Sequence, residues 1–167
     1  RLSVEQLPAV MEQATSEFLA GYYGPAAGVV RKYLDLIHDR VERENIHVNI
    51  WVPPTHAHLT DELLAEADRL WQQAEELAAG DPALLKRVKL SRMSVDYAIV
   101  EQARAAAKIP QNDRTEQQQS LLALARKRFA PFIETMAGSK LTRIREWRDV
   151  DKAEYRNKLA ADLGIQP

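Results

Sequence analysis

"TDELLAEADRLWQQAEELAAGDPALL", residues 60–85, contains one predicted helix and the start of the next, and it decides the fold of this 167-residue chain. From Leu63 to Leu77, apolar residues recur every three or four positions, which is the spacing of one buried helix face. Thr60 is a typical N-cap residue. The Gly-Asp-Pro joint at 80–82 ends one helix and begins another, because glycine favours helix ends while aspartate and proline favour helix starts. The stretch therefore predicts two helices joined by a short link, an arrangement typical of antiparallel neighbours.

The same signals predict further helices on both sides of this stretch. We predict an all-α helical bundle of five or six helices, forming a single domain over residues 1–167. We expect Gly21 to form the left-handed C-terminal cap of the first helix, and we expect a kink at Pro131 inside the fifth. The predicted helices run from about Pro8 to Ala20, Pro25 to Asn45, Asp61 to Gly80, Pro82 to Lys108, Glu116 to Ala137 and Asp151 to Leu163.

One stretch departs from the helical pattern. Residues 46–59, "IHVNIWVPPTHAHL", alternate apolar and polar side chains at first, which indicates extended backbone. Pro53 and Pro54 then prevent both helix continuation and pairing in a central strand. We therefore predict an extended segment around residues 46–54 that lies over the helices without forming a sheet.

The composition excludes several classes of protein. The formal net charge is −1, so no overall positive field attracts nucleic acid or a membrane surface. The chain has no cysteine, which excludes disulfides and cysteine-ligated metal centres. No apolar run approaches the roughly 20 residues that span a bilayer. The chain starts at Arg1 rather than methionine, and we expect it to be a piece of a longer protein.

Charge is distributed unevenly along the chain. Residues 60–81 hold seven acidic residues and one basic residue, whereas residues 126–148 hold seven basic and two acidic residues. Opposite charges attract, although exposed pairs each contribute only about 0–1 kcal/mol. We predict that the two segments lie near each other and that their attraction selects this arrangement.

The candidate chemical groups are sparse. His56 and His58 are two positions apart in a loop, but no acidic residue stands nearby at ligand spacing. Most carboxylates fall on predicted helix surfaces, and Asp96 is the best candidate for a buried acid, where a structural hydrogen bond is the more common use. The chain lacks the glycine-rich phosphate-binding motifs and the G-x-S-x-G nucleophile motif. We predict no catalytic residue, no metal and no cofactor within this chain.

Aromatic residues outside the helices are the strongest candidates for binding. Tyr22 and Tyr23 stand between two glycines at a predicted corner, while Trp51 and Trp147 lie in segments predicted to be irregular. Aromatic rings with polar tips suit sugars, since the apolar face of a sugar stacks on the ring. We consider two alternatives for the tyrosines, packing on the next helix or facing a ligand or a neighbouring domain.

Two stretches resemble a known family. "EFLAGYYGPAAGVVRKYLDLIHDRV" and "LTDELLAEADRLWQQAEELAAGDPALLKRVKLSRMSVDYAIV" resemble the C-terminal region of a bacterial domain-of-unknown-function family, whose members look like glycoside hydrolases related to alpha-glucuronidases. The resemblance covers roughly residues 10–105. It implies an upstream catalytic barrel that holds the catalytic acids, and it implies that Tyr22 and Tyr23 lie on the rim of the substrate cleft. Trp51 is our third candidate for this rim.

These observations lead to one expected function and two alternatives. We expect an accessory C-terminal helical domain that packs on the catalytic barrel of the same chain, shapes the substrate cleft and has no activity alone. The alternatives are an independent carbohydrate-binding module and a helical scaffold for protein interaction, including a homodimer. The resemblance implies a secreted or periplasmic polysaccharide-degrading enzyme, with carbohydrate as a candidate partner and neither nucleic acid nor membrane as one.

Overall fold

The computed structural model describes residues 3, 5–49, 51–142 and 151–165, and every regular element in those ranges is helical. Six α-helices are present there: α1 (Leu7–Tyr23), α2 (Ala27–Arg43), α3 (Asp61–Ala78), α4 (Pro82–Ala107), α5 (Glu116–Gly138) and α6 (Lys152–Leu163). Short 3₁₀ turns lie at Gly24–Ala26 and Gln111–Asp113. The prediction of an all-α helical bundle is confirmed. No helix in the described ranges has the combination of length and apolar character that crossing a membrane requires.

The first corner lies one helical turn later than predicted. α1 continues through Gly21 to Tyr23, and Gly24 takes the cap position with φ 50° and ψ −124°. Pro25 lies in the 3₁₀ turn, so α2 begins at Ala27. The reason is physical: a glycine inside a helix costs only about 1 kcal/mol, whereas a positive φ is readily adopted only by glycine. The glycine that the corner needs is therefore Gly24.

Two glycine substitutions should change stability in opposite directions. A Cβ atom at Gly21 would meet nothing within 4 Å. Gly21→Ala should therefore raise the free energy of unfolding by about 0.5–1 kcal/mol, because alanine is the better helix former. Gly24→Ala should lower it by roughly 1–3 kcal/mol, because alanine rarely adopts that backbone conformation. Urea denaturation measures both changes, and a destabilising Gly21→Ala would contradict the position of this corner.

The segment between α2 and α3 is irregular and is held against the helices. Residues 46–49 have no regular structure, and turns occupy most of 51–59. The side-chain amide of Gln102 on α4 donates to the carbonyls of Pro54 and Leu59, each at 2.7 Å. Arg40 Nη2 of α2 donates to the Ala57 carbonyl at 3.1 Å. The part of 46–54 that the structure describes forms no strand, in agreement with the predicted unpaired segment.

The joint between α3 and α4 is capped as predicted. The Thr60 side chain accepts a hydrogen bond from the Leu63 backbone at 3.3 Å, and Asp81 Oδ1 accepts from Ala83 N at 2.9 Å. The predicted inward position of Leu77 is wrong, since this side chain is 48% exposed and Ala78 is buried instead. A straight helix turns every 3.6 residues, so a strict seven-residue repeat drifts off the buried face.

The last two helices begin within one residue of their predicted starts at Glu116 and Asp151. Thr115 and Gln118 form a reciprocal capping box at the start of α5. Asp151 caps α6, and Gly164 ends it in the left-handed conformation at φ 64°. Pro131 lies inside α5, and the kink there stays a prediction.

α4 is the central helix of the bundle. It packs against α3 and α5 most extensively, and also against α6 and α1. Its inward face fills the middle of the core, which places the remaining helices around it. The fully buried apolar side chains of this face include Val88, Ile99, Val100 and Ala103.

Candidate binding surface at the first corner

The two corner tyrosines point in different directions. Tyr23 is only 8% exposed, and its hydroxyl lies 2.8 Å from the Ser91 hydroxyl of α4. Its ring meets the Trp71 ring edge-on, with 6.4 Å between centroids. The expectation that both rings face outward is therefore wrong for Tyr23. Successive helix residues point about 100° apart, so the side chains of Tyr22 and Tyr23 leave the end of α1 in different directions.

Tyr22 is the outward member of the pair. It is 38% exposed, and its ring stacks on Phe18 with 5.3 Å between centroids and 14° between planes. The Arg87 guanidinium lies over the same ring, 5.3 Å from its centroid. Tyr22 is thus an accessible ring with a fixed orientation, and its place on a substrate rim stays a prediction.

Tyr22 belongs to a larger apolar surface on α1. Four large apolar side chains recur along one side of the helix at four-, seven- and four-residue steps, and a fifth lies three residues after the first, which keeps all five on a single face. We call this surface the α1 face. It consists of Leu7, Val10, Met11, Phe18 and Tyr22, all classed as exposed.

Trp51 is anchored far from Tyr22. Its side chain is 56% exposed, and its backbone N–H donates to Asn49 Oδ1 at 2.8 Å. The loop that carries it is held by Gln102 near the end of α4, whereas Tyr22 packs on Arg87 near the start. These two anchor points are about 22 Å apart along the helix axis, at 1.5 Å per residue. The predicted rim residues Tyr22 and Trp51 are therefore held near opposite ends of α4.

Asp96 belongs to a buried ion-pair cluster in the middle of the bundle. Arg128 of α5 donates to both Asp96 oxygens, at 2.9 and 3.0 Å. Arg92, only 1% exposed, pairs with Asp68 of α3 and with Asp96, and its Nη1 lies 3.3 Å from a Glu75 oxygen. The ion-pair cluster thus joins α3, α4 and α5 through three carboxylates and two guanidinium groups. The predicted structural role of a buried Asp96 is confirmed.

Arg128 also confirms the predicted attraction between the acidic and basic segments. Its Nε lies 3.8 Å from Asp68, and its Nη2 lies 3.9 Å from Glu75. Burial alone would lower the pKa of Arg128, but its hydrogen bonds to Asp96 and the nearby acidic charges raise it overall. The guanidinium therefore stays charged. The rest of the basic segment from 143 onward, with Trp147, lies outside the described residues.

Sequence reasoning missed the two arginines of the cluster. A signal was present for one of them, because Arg92 lies four residues after Val88 and three before Val95, both on the predicted buried face of α4. A charged residue at such a position requires an opposite charge beside it in the folded protein.

His56 and His58 are hydrogen-bonded to each other. His56 Nδ1 and His58 Nδ1 lie 3.0 Å apart, so one nitrogen donates a hydrogen bond to the other. Within the described ranges, no group of three or more histidine or acidic residues is arranged to hold a metal ion. Two carboxylates on helix surfaces are in ion pairs: Asp35 pairs with Arg31, and Glu66 pairs with Arg69.

Comparisons of this chain with models of protein families, with curated proteins and with solved structures found no match.

Proposed function

We propose that this chain is a non-catalytic helical domain that packs through the α1 face against the catalytic barrel of a glycoside hydrolase. In this role the domain supports the barrel, and Tyr22 contributes to the edge of the substrate cleft. The identity of the barrel comes from the sequence resemblance, while the α1 face supplies the surface that such packing needs.

The α1 face is the observation that carries this proposal. Single exposed apolar side chains such as Leu77 are ordinary on protein surfaces, but a contiguous apolar surface marks an interaction site. Phe18, Met11 and Tyr22 are more than one third exposed, and aromatic residues and methionine are enriched at protein interfaces. A neighbouring domain that covers this face would remove these side chains from water.

The use of the carboxylates supports a non-catalytic role. Glycoside hydrolysis requires two carboxyl groups that face one cleft with room for the sugar. The buried acid Asp96 is instead bonded to two arginines, and Asp35 and Glu66 pair with arginines on their own helices. The catalytic acids would then come from the barrel.

Disrupting the α1 face should impair the full-length parent enzyme. We expect the double substitution Met11→Glu and Phe18→Glu to lower kcat/KM on an aryl glycoside by roughly tenfold, because a loosely docked domain misplaces the cleft edge. The double substitution should also expose the connection between the two domains to proteolytic cleavage. Steady-state kinetics and limited proteolysis measure these two effects, and the isolated 167-residue chain should show no turnover.

Leu77→Glu is the matched control, since Leu77 is exposed on α3 and lies outside the α1 face. It should leave both readouts unchanged. Turnover by the isolated chain, or full activity with normal protease resistance in the double variant, would contradict the proposal.

A helical scaffold that dimerises is the second candidate, because the same α1 face could pack against a second copy. It predicts concentration-dependent self-association of the isolated chain by light scattering, abolished by Phe18→Glu. The proposed barrel packing instead predicts that the full-length protein keeps its oligomeric state when Phe18 is changed. Calorimetric titration with a glycan panel tests the remaining alternative of an independent carbohydrate-binding module.

A further inference from the structure

A preformed apolar pocket lies between α2, α3 and α4, away from the α1 face. Its volume is about 460 Å³, within the range of roughly 300–1,000 Å³ that small-molecule sites occupy. All three helices contribute apolar wall residues, and the 46–59 segment closes one side. These wall residues include Ile37, Val41, Leu63, Val95 and Ala98, with Val48 from the segment.

The wall formed by the segment is held in place before any ligand binds. Gln102 donates to two carbonyls of the segment at 2.7 Å, and Arg40 donates to a third at 3.1 Å. A pocket whose walls are already ordered loses little conformational entropy on binding. The irregular segment, which the proposed domain packing does not use, therefore acts as a fixed wall of this pocket.

The side chains that bring polar groups to the pocket are Tyr33, His38, Glu42, His58 and Ser94, and the other lining residues are apolar. His38 and Glu42 are one helical turn apart on α2, and His58 comes from the segment. Burial, the neighbouring His56 and the charge of Arg40 hold the pKa of His58 below its ordinary value. His58 is therefore neutral at pH 7. Its Nδ1 is engaged with His56, which leaves Nε2 as a donor or an acceptor, depending on the tautomer.

The charge that lines the pocket selects against anions. Glu42 lines the pocket and repels an anion. The Arg40 charge that acts on His58 is partly neutralised by its ion pair with Glu44 at 3.0 Å, so it is the apolar surroundings that disfavour a cation. The apolar walls also make it costly to bury any charge. A hydroxyl group suits His58 in either tautomer, since it both donates and accepts hydrogen bonds.

From this arrangement we infer that the pocket binds a small uncharged alcohol or phenol with a compact apolar body, whose hydroxyl contacts His58. The inference is independent of the proposed domain packing, because the two surfaces share no residue. It also differs from sugar binding, because a sugar needs many polar partners and these walls supply few.

Three probes of similar shape test the inference on the isotopically labelled chain: para-ethylphenol, para-ethylbenzoate and para-ethylbenzylamine. At pH 7 we expect para-ethylphenol to shift the backbone amide NMR signals of pocket residues, with Kd on the order of 1 mM, as its few non-hydrogen atoms allow. The charged probes should bind at least roughly tenfold more weakly. Equal or tighter binding of the benzoate or the amine, or phenol shifts located elsewhere, would overturn the inference.

Two pairs of variants locate the site. Val41→Trp fills the pocket and should weaken phenol binding at least about fivefold, whereas Ala65→Trp, which fills a separate surface pocket on α3, should not. His58→Phe keeps an aromatic ring but removes the hydrogen bond, and it should weaken binding several-fold, whereas His47→Phe should not. If Val41→Trp no longer shows the native amide spectrum, the comparison of His58→Phe with His47→Phe tests the location of the site. Unchanged phenol affinity in His58→Phe would overturn the assigned contact.

Discussion

Replacing Arg92 with methionine should lower the free energy of unfolding by about 3–5 kcal/mol, the usual cost of breaking a buried ion pair by removing one partner. Arg92 is 1% exposed and pairs with all three carboxylates of the ion-pair cluster. Without it, Asp68, Glu75 and Asp96 face the single positive charge of Arg128. Methionine approximates the length of the arginine stem, so the loss reports mainly on charge. Urea denaturation followed by circular dichroism measures it.

Arg69→Met is the matched control for this prediction. Arg69 pairs with Glu66 on the surface of α3, and its side chain is 55% exposed. An exposed pair of this kind contributes about 0–1 kcal/mol, so the control should change stability little. Equal losses for the two variants would show that the buried cluster contributes no more than a surface ion pair.

Trp71→Ala should destabilise the protein by about 3–5 kcal/mol, because it leaves a large cavity in the core. Trp71 is 3% exposed and contacts the rings of both Tyr23 and Tyr33, with centroid distances of 6.4 and 5.2 Å. Its loss removes the support beneath the first corner. The free energy of unfolding of a natural domain is about 5–15 kcal/mol. If the value for this protein lies near the lower limit, the Trp71→Ala variant should be measurably unfolded at 37 °C.

Trp51→Ala provides the comparison on the surface. Trp51 is 56% exposed, so its removal should change the free energy of unfolding by less than about 0.5 kcal/mol. Thermal unfolding of both variants, followed by circular dichroism, separates the two cases. A loss for Trp51→Ala as large as that for Trp71→Ala would mean that the 46–59 segment carries core packing.

The sequence predicted the helices well because their ends carry local chemical signals. Thr60 and Asp81 each cap the helix that they were expected to cap. Thr115 and Asp151 cap α5 and α6, whose starts were predicted to within one residue. These signals depend on hydrogen bonds within a few residues, so no knowledge of the tertiary fold is needed to recognise them. Gly21 shows the limit, because the corner depends on which of two nearby glycines adopts a positive φ.

The candidate surface was less predictable because it depends on how helices rotate against each other. Tyr22 and Tyr23 are adjacent in sequence, yet packing against Trp71 and Ser91 buries one and leaves the other exposed. The partners of Asp96 come from two helices, Arg92 of α4 and Arg128 of α5, and only Arg92 lies close to it in sequence. The pocket beside His58 likewise forms only when α2, α3 and α4 come together.

The order of the helices also affects how the chain reaches its folded state. The most extensive helix contacts join neighbours along the chain, α2 with α3, α3 with α4 and α4 with α5, while α6 returns to α4 across one intervening helix. Proteins dominated by such short-range contacts close only small loops during folding, and they fold on the order of microseconds to milliseconds. The charged groups of the ion-pair cluster are drawn from the consecutive helices α3, α4 and α5, so their pairing requires the closure of two short loops only.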